Sequence, residues 1–299
     1  MKQLFYQIIY FPPVNKFLRA LNKVLAPLLP KRFKIPPSGN MLVQFDEDVS
    51  FTFWTNQTSY ITQFLYWNNP LEFEYTKEFI PLIKKMEVYF DVGSNIGYYS
   101  LLAAAANPKI KVFAFEPASG PHHYLSKNVD LNHFSNIKVE KLALSNKTGE
   151  IQFYEVKNKK YKYLEHNLAG ESNEGSKTEN RNYHPEKVLA TTFDEYVKEN
   201  GIKKIDLVKI DTEGTEYMIL EQGSTVLSDL KPIVICETLF NKIEHKLERI
   251  FSSYGYEFYN HTDKGLEKVK SITRLNDDGV RNCFFVHPSK FHLIEEFVA

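Results

Sequence analysis

The sequence predicts an α/β fold: a mostly parallel central sheet with helices on both faces, preceded by a helical and hairpin extension. Three observations carry this reading. Runs such as "VYFDV", "KVFAF", "IDLVKI" and "PIVIC" are strand-length and nearly continuously apolar, as strands covered from both sides must be. Each is followed by a segment of helix length. The first run enters a turn with two glycines and then the alanine-rich "YYSLLAAAA", a strand–turn–helix unit of the kind that holds ligands at strand carboxyl ends.

In chain order, residues 16–29 ("KFLRALNKVLAPLL") place Phe17, Leu18, Leu21, Val24, Leu25 and Leu28 at helical spacing. Pro36-Pro37-Ser38-Gly39 breaks the chain, "MLVQFDEDVSFTFW" reads as a hairpin, and "EFEYTKEFIPLIKK" as a helix entering the core. Next, "VYFDVG" precedes a helix over 96–106, "KVFAFEP" a helix from Pro121 to near Asn132, and "IKVEKLALS" the strand "GEIQFYEV". "IDLVKIDTEG" then leads into "EYMILEQGSTVLSDL", "PIVICET" into "NKIEHKLERIFSSYG", and "YEFYN" and "NCFFVHPS" complete the sheet. Residues 157–187 are polar and poor in aliphatics, a solvated loop or a lid over the substrate. The expected division is an extension over 1–70 and one ligand-binding domain over 71–299 carrying that insertion.

Composition narrows the function. The 299 residues are 43% apolar and 25% charged, with formal net charge zero. Residues 1–45 hold seven bases (Lys2, Lys16, Arg19, Lys23, Lys31, Arg32, Lys34) and no acid, so all 37 acids and 30 of the 37 bases lie beyond. The body has no basic stripe, so no nucleic-acid partner is expected. The basic, amphipathic segment over 1–34 suits either an anionic membrane surface or the acidic body of the protein itself. Cys236 and Cys283 sit in apolar runs and read as reduced core residues of a cytoplasmic protein. "LFYQIIYF" is too short to span a bilayer, and Pro12-Pro13 with no small-residue cleavage site argues against a secretion signal.

The turn after the first strand reads Asp91-x-Gly93-x-Asn95-x-Gly97. A dinucleotide fingerprint would begin with glycine, and the two glycines here are four apart. An acid in the first position repels a diphosphate but suits a ligand with an amino group. Free N–H groups near Gly93 to Gly97 would then meet its carboxylate or ribose oxygens. S-adenosylmethionine, with its zwitterionic amino-acid end, is such a ligand. Glu116 ends the next strand, where an acid can hydrogen-bond both ribose hydroxyls. In "IDLVKIDTEGTE", alternation puts Leu207, Lys209, Asp211 and Glu213 on one side. A lysine inside a central strand requires an acid, here Asp211, Glu213 or Glu237. Thr215 and Glu216 read as the cap and first turn of the next helix, Gly214 as turn geometry.

"FDVGSNIGYYSLLAA", "FAFEP", "LALSNKTGEI", "TTFDEY" and "IDLVKIDTEGTEYMILEQG", in that order and spacing, resemble the FkbM-type family of S-adenosylmethionine-dependent methyltransferases. The resemblance covers roughly residues 72–240 and leaves the first 70 residues and the insertion uncovered. It implies a Rossmann-like methyltransferase sheet and methyl transfer to an oxygen, commonly a hydroxyl of a sugar or natural product. It also implies that Asp91, Gly93, Asn95 and Gly97 meet the methionine part, Glu116 the ribose and Ala143-Leu144 the adenine neighbourhood. Asp211 and Glu213 carry over to an acidic motif at a strand end.

A hydroxyl acceptor loses a proton during transfer, so a carboxylate base is expected. Asp211 and Glu237 end adjacent strands and are the candidates, and Asp211, Glu213 and Glu237 form the expected catalytic set. The same carboxylates could instead hold Mg²⁺, although no further oxygen-ligand cluster is visible and a metal is not expected. His122, His123, His166, His184 and His245 lack metal-ligand spacing. The rivals are a nicotinamide-dependent oxidoreductase, which Asp91 opposes, and a non-catalytic binding or scaffold protein of the same fold. A nucleic-acid methyltransferase finds no support, because "DTEG" stands in place of an Asn/Asp-Pro-Pro-aromatic tetrapeptide.

Overall fold

The computed structural model describes residues 1–26, 33–157, 160–168, 182–238 and 240–299. It opens with helices α1 (Lys2–Ile9) and α2 (Pro12–Leu25), the second starting on two prolines whose missing N–H groups have no helical partner to lose. The apolar run "LFYQIIYF" is therefore largely helix α1, and α2 begins four residues before the predicted helix. Leu28, placed on that helix by its spacing, lies outside the described residues.

Helix α2 turns its polar side inward. Asn15, Arg19 and Asn22 are buried, whereas Phe17, Leu21 and Val24 face solvent. Hydrogen bonds to the chain that follows explain this. Asn15 Nδ2 donates to Pro36 O at 3.1 Å, and its Oδ1 accepts from Ser38 N at 2.7 Å. Asn22 Oδ1 accepts from Ile35 N at 2.8 Å, and Arg19 donates to Ser38 O at 3.3 Å and to Asn40 O. Among the described residues of the leader, no base forms an ion pair with the acidic body. Arg19 and Lys23 lie over the Tyr66 ring instead, at 5.3 and 5.0 Å.

The expected hairpin is β1 (Gly39–Gln44) with β2 (Ser50–Thr55), antiparallel from Gly39↔Thr55 to Gln44↔Ser50. Asp46 Oδ1 accepts from Asp48 N and Val49 N and closes its turn. Helix α3 (Tyr60–Trp67), which the sequence pattern did not announce, is capped by Ser59 accepting from Thr62 N. Helix α4 (Thr76–Ile83) leads into the sheet.

The remaining elements are β3 (Val88–Val92), α5 (Tyr98–Ala106), β4 (Lys111–Phe115), α6 (Ser119–Leu131), β5 (Ile137–Glu140), β6 (Ala143–Leu144), β7 (Gly149–Lys157), β8 (Asn182–Thr191), α7 (Phe193–Glu199), β9 (Leu207–Ile210), α8 (Glu216–Leu220), β10 (Ile233–Glu237), α9 (Glu244–Ser253), β11 (Glu257–Thr262), β12 (Gly265–Val269) and β13 (Asn282–Val286). The central sheet runs β12-β11-β13-β10-β9-β3-β4-β5. Its five strands from β10 to β5 are parallel, and β13, β11 and β12 join antiparallel. This is a Rossmann-like α/β sheet. The chain winds outward from β3 to β5, then returns to β9 and winds the other way, so the strand order reverses between β3 and β9. The crevice at their carboxyl ends is where such sheets bind ligands.

One core lies on the α4–α5–α6 side of the sheet, around Phe79, Leu101, Leu102 and Leu125. The other lies on the α7–α8–α9 side, around Phe193, Ile219, Leu247 and Phe251. Strands β6, β8 and β7 form a small second sheet. Strand β8 pairs with β7 from Lys157↔Asn182 to Gly149↔Ala190, so the expected loop is shorter than residues 157–187 and its middle, 169–181, lies outside the described residues. The single helix expected over 216–230 is interrupted: α8 ends at Leu220, and a π-helical turn follows over Val226–Leu230. Cys236 and Cys283 face each other across β10 and β13, both fully buried and free.

Two asparagines of α6 tie the extension to the sheet. Asn128 Oδ1 accepts from Trp54 N at 2.6 Å and its Nδ2 donates to Ile96 O at 3.0 Å, while Asn132 accepts from Thr52 N and donates to Thr52 O, both at 2.8 Å. They satisfy the edge of β2 that β1 leaves open. Asn128→Ala orphans the Trp54 N–H and the Ile96 carbonyl, and it should lower the unfolding free energy by about 1–3 kcal/mol in chemical denaturation. An unchanged midpoint would show that this tie contributes nothing.

Candidate active site

The crevice is shaped by the turn after β3. Gly93, Asn95 and Gly97 all adopt positive φ, at 75°, 52° and 92°. A side chain at Gly93 would collide with the Asp211 carbonyl oxygen, and one at Gly97 would press into Leu125. Four of the five N–H groups from Gly93 to Gly97 are taken within the protein, so the free donors expected from the sequence are reduced to that of Ile96. Gly93 N and Ser94 N both donate to Phe115 O at 3.0 Å, Asn95 N to Glu116 Oε2 at 2.8 Å, and Gly97 N to Ser94 O at 2.8 Å. The end of β4 therefore holds the turn, and Asp91 and Asn95 bring side-chain acceptors to the cleft wall.

Those acceptors surround one buried cation. Lys209 pairs with Asp91 in the parallel register of β9 and β3. Its Nζ donates to Gly93 O at 2.9 Å and lies 3.6 Å from Asp91 Oδ1 and 3.4 Å from Asp211 Oδ2. Burial alone would lower the Lys209 pKa, but Asp211, Asp91 and Glu74 outweigh it and hold the ammonium above the ordinary lysine value. Asp91 is 1% exposed; Ser100 donates to its Oδ2 at 2.5 Å, while its Oδ1 has no hydrogen bond. Burial raises its pKa against the opposing pull of Lys209.

Around this centre opens a cleft of about 1020 Å³, lined by the expected Asp91, Gly93, Asn95, Glu116, Ala143, Leu144, Asp211, Glu213 and Glu237. Gly97 is not on the wall; its part is steric, admitting α5 against Leu125. Glu116 accepts from Asn95 N at 2.8 Å and Ala118 N at 2.9 Å, and burial pushes its carboxyl up to about 7. Burial, followed by Asp211 and Glu213, pushes Glu237 up to about 9. Glu213 lies beyond the end of β9 at φ 59°, exposed on the rim, so strand alternation does not govern it. Lys209 meets Asp211 as expected, and Asp91 in addition.

Glu74 escaped the sequence reading. It sits on the cleft wall at φ 46°, and Tyr99 donates to its Oε2 at 2.9 Å. Although solvent reaches it through the cleft, enclosure by protein and the nearby Asp211 push its carboxyl up to about 7. A glutamate before "YTKEF" carries no signal of this; the left-handed kink that aims it inward is a product of the fold. Thr215 does not cap α8 with its side chain. Glu216 folds back instead, its Oε1 accepting from Thr212 N at 2.8 Å and Gly214 N at 3.1 Å. Carboxylate oxygens of Asp211, Glu216 and Glu237 fall within 4.8 Å of one another, so these three are the residues among those described that could hold a divalent ion.

A mostly parallel sheet with an acidic cleft at its point of strand reversal defines a Rossmann-like α/β protein with a crevice of ligand size. The FkbM methyltransferase domain matches residues 91–258, and the chain belongs to that family. Methyltransferase sdnD of Sordaria araneosa is 27% identical over 187 residues, 56% of this chain and 72% of that protein. Hexuronic acid methyltransferase AglP of Haloferax volcanii is 28% identical over 149 residues, 50% of this chain and 55% of that protein. 31-O-demethyl-FK506 methyltransferase FkbM of Streptomyces tacrolimicus is 40% identical over 63 residues, 21% of this chain and 24% of that protein.

The Glu116 carboxyl gives a pH test. Its folded pKa of about 7 lies above the ordinary 4.5. The stability tied to its proton is complete below pH 4.5 and lost as pH rises through 7. Relative to Glu116→Gln, the unliganded wild type should lose on the order of 3 kcal/mol between those limits. Parallel melting-temperature curves for the two proteins across this range would refute the assignment.

Proposed function

We propose that this protein is an S-adenosylmethionine-dependent methyltransferase whose acceptor is a hydroxyl of a sugar, polysaccharide, glycolipid or natural product. The observation that carries the reading is Asp91 Oδ1, a buried carboxylate oxygen without a hydrogen bond at the end of β3, beside a turn that no side chain at Gly93 could share. Asn95 Oδ1 is a second buried acceptor without a partner. Two side-chain acceptors beside the turn, Asp91 Oδ1 and Asn95 Oδ1, favour an ammonium over a pyrophosphate and oppose the nicotinamide reading. The cleft wall holds six carboxyls (Glu74, Asp91, Glu116, Asp211, Glu213, Glu237) against Lys147 and Lys209, a balance suited to a cationic ligand.

Asp91 and Asn95 would take the amino group. Glu116, braced by two backbone N–H groups, keeps lone pairs for the ribose hydroxyls, and Ala143 and Leu144 supply apolar wall for the adenine. Bound there, the sulfonium supplies an electrophilic methyl group. The chain's share is to align the acceptor oxygen and receive its proton, and alignment alone is worth about 7–11 kcal/mol in favourable cases. Of the two expected bases, Glu237 is pushed up to about 9 by burial and by Asp211, which makes it a carboxyl that would keep its proton at neutral pH. Asp211, open to the cleft beside Lys209, is left to accept the hydroxyl proton. No step requires Mg²⁺. The relatives support the acceptor class: one is named for a hexuronic acid and another for an O-methyl position of a natural product.

Two variants separate binding from chemistry. Glu116→Ala should weaken S-adenosylmethionine binding by about 1–3 kcal/mol in calorimetry. Asp211→Asn should leave binding within a few-fold and cut kcat by about 10²-fold or more. Unchanged affinity in the first would remove Glu116 from the site. Near-normal turnover in the second would make Asp211 structural. Cofactor binding without turnover on any hydroxyl acceptor would favour the non-catalytic reading.

A further inference from the structure

We propose that helices α1 and α2 form a docking face for an anionic lipid bilayer. The face is built by the fold. Phe17, Leu21 and Val24 recur at helical spacing on one side of α2, with Phe17 69% and Val24 77% exposed. Leu4, Phe5 and Ile8 give α1 a similar exposed side. Solvent exposure of so many large apolar groups is costly, and large exposed apolar patches mark interaction sites. A helix of such composition would ordinarily bury these residues and expose its asparagines and arginine. Here Asn15, Arg19 and Asn22 are locked inward by hydrogen bonds to residues 35–40, so the apolar side is held outward.

Charge selects the occupant. Lys2, Lys16 and Lys23 flank the face and are exposed, and no acid occurs in residues 1–45. A second copy of this chain docked on the same face would bring lysines against lysines with no acid to answer them. An anionic bilayer takes both parts, the lysines at its headgroups and the apolar side chains at the acyl boundary. At 8 and 14 residues the helices measure about 12 and 21 Å, short of the roughly 30 Å hydrocarbon core, so they lie on a bilayer and do not cross it.

The face is joined to the cleft by one stretch of chain. Tyr6 and Tyr10 of the leader stack edge-on against Tyr161 at 5.2 and 5.5 Å, and Gln3 donates to Lys160 O at 3.0 Å. Seven residues further on, Leu168 N donates to Thr58 Oγ1 at 2.8 Å, and Asn167 and Leu168 form part of the cleft wall. On the proposed function, docking would bring the cleft, which shares this stretch of chain with the leader, close to an acceptor carried at the membrane surface.

Vesicle flotation of the full chain tests this without turnover, so the result does not depend on methyl transfer. Vesicles of 7:3 phosphatidylcholine and phosphatidylserine should carry the wild type upward at low salt, and pure phosphatidylcholine or high salt should release it. Leu21→Glu/Val24→Glu and Lys2→Glu/Lys16→Glu alter only exposed positions and should each cut the bound fraction by at least about tenfold with an unchanged melting temperature. Failure of the wild type to float, or equal flotation of both variants, overturns the proposal. So does a dimer in sedimentation that Leu21→Glu/Val24→Glu converts to monomer, which would make a second copy the occupant.

Discussion

The ion pair between Lys209 and Asp91 is the constraint on which the site depends. It joins the central strands at the point where strand order reverses, and the Lys209 ammonium also takes the Gly93 carbonyl, fixing the start of the turn. The Asp211 arm is shorter, at 3.4 Å, but that side chain is 40% exposed and its attraction is screened. The buried Asp91 arm is the stronger link, on the order of 4–5 kcal/mol before the cost of removing both charges from water. That cost makes the pair a weak source of net stability. Its value lies in what it positions: a carboxylate on the cleft wall whose Oδ1 makes no hydrogen bond and has only the Lys209 ammonium, at 3.6 Å, beside it.

The rest of the cleft follows the same logic. Phe115 O collects two N–H groups of the turn and Glu116 a third, so most of the turn's backbone donors are satisfied within the protein and the acceptors Asp91 Oδ1 and Asn95 Oδ1 are left for a ligand. Glu74, Glu116 and Glu237 are all held protonated to unusually high pH, first by enclosure and then by the aspartates nearby, Asp211 for Glu74 and Glu237 and Asp91 for Glu116. An unliganded cleft of this kind carries destabilising charge and orphaned polar atoms. A cation entering it relieves both, which is how binding energy becomes linked to the protonation of the walls.

Much of this was legible in the sequence because strand, turn and helix have fixed reach. Asp91, Gly93 and Glu116 fall at the ends of adjacent parallel strands whatever the details, and Asp211 ends the third. The partner of Lys209 was only half legible: its need for an acid is a matter of burial, but the choice of Asp91 rests on the β3–β9 register, which no local pattern encodes. Glu213 does reach the cleft rim, but not by alternation, because the strand stops at Ile210. Helix α2 marks the other limit. Spacing reveals two faces, but which one is covered is decided by Asn15, Arg19 and Asn22 finding the backbone of residues 35–40, a tertiary event.

The central claim is that the acids around Lys209 await a cationic methyl donor. Calorimetric titration of S-adenosylmethionine into the full chain at pH 7, in two buffers of different ionisation enthalpy, tests it most directly. The account predicts one molecule bound per chain with net proton release, since a cation draws Glu74 and Glu116, both held near 7, into their ionised forms. Absence of binding, or binding accompanied by proton uptake, would contradict it.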